Sequence, residues 1–337
     1  MIVWLLLLVV FLTSWVLTRF LRRYALEKSL MDIPNERSSH SVPTPRGGGV
    51  AIVVAFLAVL PVLELFGLLS QQFAIGLTGA GLLVAVLGFA DDHGHIAARW
   101  RLAGHFTAAA WALFWIDGLA PLELMGTSIN LGLAGTLLAS VYLVWMLNLY
   151  NFMDGTDGLA SAEAVCTCVG ACVVYGVSGN ISLIWVPLAL TAAVGGFLCW
   201  NFPPARIFMG DAGSGFLGLA LGVISLQAAW SSPELLWSWV ILLGVFIVDA
   251  TWTLVRRLLN GEKVYEAHRN HAYQYAARRH GSHKTVVVAV VGINLCWLAP
   301  LAIMVGLGLM SGVIAVVIAY APLMLIAYRY RAGLREK

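Results

Sequence analysis

The chain has 337 residues, of which 60% are hydrophobic and 11% charged, with a formal charge of +3. A mean hydropathy of +0.86 excludes a soluble domain and describes an all-α polytopic integral membrane protein. The modest charge gives no reason to expect a nucleic-acid partner, because basic residues bordering lipid headgroups account for it.

Apolar runs of spanning length begin near Met1, Gly47, Phe73, Gly104, Leu133, Leu159, Ile181, Phe216, Leu235, Thr285 and Gly312, which predicts about eleven transmembrane helices at ~20 residues each. Little chain remains beyond them, so residues 1–337 read as a single transmembrane domain with its chemistry in loops 21–46, 91–103, 148–158, 201–215 and 256–284. The first run, Met1 to Phe20, lacks a charged leading region and is followed by Arg22 and Arg23, which predicts a retained helix and not a cleaved signal.

The connections alternate in character. Arg22–Arg46, Asp91–Arg101, Asn148–Gly158, Asn201–Asp211, Arg256–Lys284 and Arg329–Lys337 lie on the side that holds all 20 lysines and arginines. Phe66–Gln72, Ala120–Asn130, Ser178–Asn180, Ser231–Glu234 and Leu309–Gly312 have no basic residue. Basic loops resist translocation, so the first set is expected in the cytoplasm, the N-terminus outside and the C-terminus inside. Cys166, Cys168, Cys172, Cys199 and Cys296 all fall within apolar runs and read as small packing residues, not a disulfide framework.

Five aspartates stand where apolar runs meet the basic loops. Asp91 and Asp92 close the third run in GFADDHGH, Asp154 and Asp157 follow the fifth in NLYNFMDGTDGLA, and Asp211 precedes the eighth in IFMGDAGSG. An Asp-Asp pair alone is more often a solvated helix end than a site. Asn148, Asn151 and Asp154 recur every three residues along one side of a helix end, and Gly155 and Gly158 permit a sharp turn after them. That stripe suits capture of a polar ligand. Asp211, among small residues at a helix start, suits either a metal-bound phosphate or a simple helix cap. The loop carrying Glu266, His268, Arg269, Asn270, His271, Arg278, Arg279, His280, His283 and Lys284 lacks a zinc-ligand pattern. It reads as phosphate neutralisation or as ordinary inner-leaflet basicity. Carboxylates for a divalent cation, cations for a polyanion and a position at the lipid boundary together suit phosphoryl transfer between a nucleotide and a lipid phosphate.

NLYNFMDGTDGLA, the Asp-Asp pair after the third run and NFPPARIFMGDAGS, in that order, resemble the WecA/MraY-type polyprenyl-phosphate N-acetylhexosamine-1-phosphate transferases. The resemblance runs from Arg37 to His271. HSVPTPRGGG is similar to that family's Pro/Gly-rich entry to its second span. EAHRNHAYQ is similar to the subgroup that starts O-antigen synthesis with deoxy-N-acetylhexosamines.

The resemblance implies a Mg²⁺-dependent enzyme (Mn²⁺ as an alternative) of the bacterial inner membrane. It would use a UDP-N-acetyl sugar and undecaprenyl phosphate, release UMP, and act on the cytoplasmic face, with a homodimer among its expected partners. By matching position, Asp211 would ligate the metal, Asp91 and Asp92 would act at the lipid phosphate, and Asp154 would stand near the attacked diphosphate, with Asn151 fixing that segment. Asp157, Asn201 and Phe208 would surround the uridine, and His271 would contact the diphosphate. Arg99 and Arg101 match basic residues after the Asp-Asp pair, and Arg46, Asn148 and Arg269 complete the substrate-binding set. Because Ala272, Tyr273 and Gln274 follow His271, the expected sugar is a 6-deoxy-N-acetylhexosamine (FucNAc or QuiNAc), with GlcNAc as the alternative. No lysine lies between Asp32 and Gly49, which argues against the muramoyl-pentapeptide substrate.

An ion-coupled transporter is the alternative of another class. It predicts acids near the membrane midplane and matching interrupted repeats, whereas these acids sit at helix ends. A CDP-alcohol phosphatidyltransferase would need an Ala-Arg pair soon after the first Asp-Gly, where Asp154-Gly155 runs on into Thr156-Asp157-Gly158.

Overall fold

The computed structural model describes residues 2–34, 42–94, 96–262 and 269–334. Arg37, Glu266 and His268 lie outside the described residues. Helix α1 (Ile2–Glu27) leads into a two-residue antiparallel pairing of β1 (Met31–Asp32) with β2 (Thr44–Pro45), then α2 (Val50–Leu65), α3 (Gln71–His93) and α4 (Ala98–Trp115). A short hairpin, β3 (Leu122–Leu124) with β4 (Thr127–Ile129), joins α4 to α5 (Gly132–Met153). There follow α6 (Leu159–Val177), α7 (Trp185–Asn201), α8 (Asp211–Ala229), α9 (Pro233–Leu242) and α10 (Gly244–Leu259). The chain closes with α11 (Ala272–His280), α12 (His283–Ile293), a π turn at Asn294–Leu298, α13 (Ala299–Gly306) and α14 (Gly312–Arg329).

Each of the predicted apolar runs is helical. Eight of the described helices are long and apolar enough to cross a membrane, or nine if the bent α9–α10 pair counts as one span. Helix α2 falls short at 16 residues, and α4 carries Arg99 and Arg101 in its first turn. Large apolar side chains such as Phe114, Leu133, Val86 and Leu325 point outward, as a lipid-facing surface requires once helices satisfy their own backbone.

Helix α8 is the axis of the bundle. Nearly all its residues are buried, and it packs against α3, α5, α9 and α2. Small residues make this possible. A Cβ on Gly88 of α3 would lie 2.5 Å from the Ala212 nitrogen, and one on Gly213 would lie 2.6 Å from Gly49 Cα. Backbones that approach so closely gain packing that lipid cannot supply. They also bring the end of α3 and the starts of α2 and α8 to one place.

Two expectations need correction, and one connection proves more ordered than its sequence announced. Arg99 and Arg101 are not in a loop, because α4 starts at Ala98, about two turns before the apolar run that announced it. The run near Leu235 is not one straight span, since α9 and α10 meet at a 70° bend. The connection Ala120–Asn130 contains a β-hairpin. Backbone groups freed at the bend find partners: Thr167 Oγ1 donates to the Leu242 carbonyl (3.3 Å). Nearby, Asn294 opens the π turn and donates to buried Glu163 Oε2 (2.6 Å). Polar side chains at membrane depth are tolerated only when paired in this way.

Candidate active site

Three helix ends converge where α3 and α5 finish and α8 begins. Asp91 and Asp92 occupy the last turn of α3, Asn148 and Asn151 the last turns of α5, with Asp154 as its C-cap, and Asp211 the first residue of α8. The Asn148–Asn151–Asp154 stripe therefore exists, but its members do different things. Asn148 Nδ2 donates back to the Val144 carbonyl (2.7 Å). Asn151 Nδ2 bridges Asp211 Oδ1 (3.0 Å) and Ser214 Oγ (3.1 Å), joining α5 to α8.

The cations sort themselves by partner. Arg101 donates to Asp91 Oδ2 and lies 3.9 Å from Asp211 Oδ2. Arg46 donates to the Asp92 carbonyl, with 4.0 Å to its carboxylate. Asp91 also accepts from the Ile96 N–H (2.8 Å), and Asp92 lies 3.4 Å from the Ala212 N–H at the start of α8. Arg99 is not brought to the acids; it is exposed, with its guanidinium 5.8 Å from the Trp100 ring centre.

Exposure separates the acids. The Asp91 and Asp92 side chains are each only 7% exposed, whereas Asp211 keeps 39% and is the most open to solvent of the three. Asp154 is held well above the usual carboxylate range, by burial first and then by the charges of Asp211, Asp92 and Asp157. Such crowding marks a surplus of negative charge, and hard oxygen donors of this kind suit Mg²⁺. Among the described residues no three carboxylate, histidine or cysteine side chains form a ready-made metal cage. That fits an ion which takes one or two carboxylates and completes its shell with water and substrate phosphate.

The residues expected at the uridine hold two loops together. Asn201 is buried, accepts from the Gly158 N–H (3.0 Å) and donates to the Ile207 carbonyl (3.0 Å). Asp157 accepts from the Ala205 N–H (3.0 Å) and meets His283 Nδ1 at 3.1 Å. Gly158 sits at φ +71°, in the left-handed region that its missing Cβ permits. Phe208 is half-buried; its N–H donates to the Pro45 carbonyl (2.8 Å) and its carbonyl accepts from Gly48 (2.9 Å), which pins the loop after β2 to the start of α8.

His271 is buried as the N-cap of α11, 3.4 Å from Asp249 on α10. Asp249 accepts from the Ala272 (2.9 Å) and Tyr273 (3.0 Å) N–H groups, so one carboxylate caps the helix and faces its histidine. Tyr273 Oη donates to the Phe152 carbonyl (2.9 Å), docking α11 beside Asp154. Arg269 is tied by its carbonyl to Arg278 (3.2 Å). Asp249, Tyr273 and His283 thus belong to the site's framework; the sequence placed His283 in a phosphate-neutralising loop and Tyr273 among the residues that mark the sugar, and gave Asp249 no role at the site. Asp249 carried the one available signal, an acid inside an apolar run.

A multi-pass helical membrane protein with a carboxylate-lined site at one end of its bundle is the class that fold and site define. The family model described as glycosyl transferase family 4 matches residues 74–229, which includes Asp91, Asp154 and Asp211. The chain is 30% identical to the decaprenyl-phosphate N-acetylglucosaminephosphotransferase of Mycolicibacterium smegmatis, covering 83% of this chain and 75% of that protein. It is 28% identical to a probable undecaprenyl-phosphate N-acetylglucosaminyl 1-phosphate transferase of Bacillus subtilis, covering 83% and 78%. A phospho-N-acetylmuramoyl-pentapeptide-transferase of Streptococcus pyogenes is also 28% identical, over 56% of this chain and 61% of that protein. The chain belongs to glycosyl transferase family 4.

Proposed function

We propose that the chain transfers N-acetylhexosamine 1-phosphate from a UDP-sugar to a polyprenyl phosphate, releasing UMP. The observation that carries this reading is the meeting of Asp91, Asp92, Asp154 and Asp211 with Arg46 and Arg101 at three helix ends. In a direct displacement, an oxygen of the acceptor phosphate attacks the phosphorus that bears the sugar. The bond from that phosphorus to the oxygen bridging to the uridine-bearing phosphate breaks, and UMP leaves with the electron pair. Asp211 would hold Mg²⁺, with Asn151 orienting its carboxylate; the ion, when bound, neutralises diphosphate charge. Asp91 and Asp92, shielded and each beside an arginine, act at the acceptor phosphate. Catalysis of this kind rests on positioning and charge neutralisation.

GlcNAc is the donor sugar we favour, because the Bacillus and Mycolicibacterium relatives are named for it. The deoxy-sugar reading rests only on the segment around His271 and has no support from those names. The basic ends of the helices support a cytoplasmic site in a bacterial inner membrane, where the product would begin a lipid-linked surface polysaccharide. UMP release from membranes given undecaprenyl phosphate tests the reading, with UDP-GlcNAc, UDP-FucNAc and UDP-QuiNAc compared. Faster turnover with UDP-GlcNAc is expected. A preference for either deoxy sugar would overturn the choice of donor, and no UMP from any of them would overturn the reaction.

A further inference from the structure

Below the acids, toward the bundle interior, lies a cavity of about 50 Å³ lined by Asp91, Arg101, His105, Asn148, Asn151 and Asp211. That is room for more than one water-sized group. Arg101 and His105 are four residues apart on α4 and so share a face with Ala108, Ala109 and Ala112, which are buried against the bundle. The polar side chains around this cavity are already engaged, with one exception. Asp91 takes Arg101 and the Ile96 N–H, Asn148 turns back to Val144, and Asn151 holds Asp211 and Ser214. His105 Nδ1 is shielded from solvent and has no hydrogen-bond partner. Such an atom is normally satisfied by protein, ordered water or a ligand, and among the described residues this is the one that lines the cavity beside the acids.

We infer that His105 is a substrate-contact residue whose imidazole donates a hydrogen bond to an oxygen of the lipid-borne acceptor phosphate. Chemistry selects an anionic oxygen: the carboxylates here are acceptors, and Arg101, which already pairs with Asp91, keeps further N–H groups that can share such an anion with His105. Depth selects its source. His105 lies one turn further along α4 than Arg101, ~6 Å deeper into the bundle, while the open side of the site is at Asp211. A soluble nucleotide sugar enters from the open side, and a phosphate anchored in the bilayer approaches from the membrane side. The assignment of the two substrates rests on the proposed function above; the unpartnered imidazole in the cavity does not.

Binding of undecaprenyl phosphate to the detergent-solubilised protein, with no donor present, tests this without requiring turnover. A hydrogen bond to a charged group is worth about 1.5–3 kcal/mol, so His105→Ala should bind about tenfold or more weakly, and His105→Gln, which keeps a donor, should recover part of the loss. In turnover assays KM for the acceptor should rise in His105→Ala while KM for UDP-GlcNAc stays unchanged. Thermal unfolding and gel filtration show whether each variant is folded, and His105→Gln carries the comparison if His105→Ala is not. Wild-type affinity in both variants would overturn the contact. A raised KM for UDP-GlcNAc alone would overturn its assignment to the acceptor. If undecaprenyl phosphate binds in a His105-dependent way but no UMP forms, the proposed reaction fails and the contact stands.

Discussion

Asp154 shows how the site stores its charge. Burial, then Asp211, Asp92 and Asp157, hold its carboxyl protonated above the ordinary carboxylate range. Between that range and its raised value the folded protein binds more protons than the unfolded chain. The stability that the protonated carboxyl contributes is complete below this interval and lost as pH rises through it. A divalent cation favours the ionised form and so acts in the opposite sense. The melting temperature without Mg²⁺ is therefore predicted to fall as pH rises through the interval, and added Mg²⁺ should raise it more at alkaline than at acid pH. A Mg²⁺ effect of equal size at both would contradict a cation held among these acids.

At the scale of elements, α10 and α11 act as one bracket. The bend after Leu243 aims α10 so that Asp249 receives the first N–H groups of α11 and faces His271. Removing a helix cap costs about 0.5–2 kcal/mol, and a small displacement of a positioned group costs up to ~100-fold in rate. Asp249→Ala is predicted to fold, to melt at a lower temperature and to lose about tenfold to a hundredfold in kcat, with Asp249→Asn between it and the wild type. Unchanged kcat in Asp249→Ala would remove His271 from the working site. This bracket is also where the sequence was least legible. Apolar runs of spanning length disclosed the helices, and Asp91, Asp154 and Asp211 disclosed the site because charged residues beside lipid are conspicuous. The bend has no comparable signature, since Leu242, Leu243 and Gly244 continue the apolar run. His105 was hidden for the same reason. It lies inside a run read for its hydrophobicity, and only the three-dimensional packing of α4 on α3 and α5 shows what it faces. Asn201 and Asp157 were legible as polar loop residues, but which loop each would fasten depends on contacts more than forty residues apart.

For the whole molecule, the helices alternate in direction so that the acids, Arg46, Arg101, Arg206 and Arg256 share one end of the bundle. At the other end β3 and β4 present Glu123, whose carbonyl accepts from Trp237 Nε1 (3.1 Å). Among the described residues the arginines named here gather at the acids' end, which predicts that this end faces the cytoplasm. In intact cells, a cysteine placed at Met125 in the hairpin should react with an impermeant thiol reagent, and one placed at Arg99 should react only after the membrane is opened. The reverse pattern would turn the protein over and leave its site away from any cytoplasmic nucleotide sugar.

The central claim is that phosphate travels with the sugar. UDP-GlcNAc labelled both at the sugar-bearing phosphorus and in the sugar, incubated with undecaprenyl phosphate and the purified protein, tests it most directly. The account predicts that both labels enter the lipid in equal amounts, that unlabelled UMP is released, and that Asp211→Asn lowers the rate by ~100-fold or more. Sugar label in the lipid with the phosphorus label left on the nucleotide, or an Asp211→Asn variant that turns over at the wild-type rate, would contradict it.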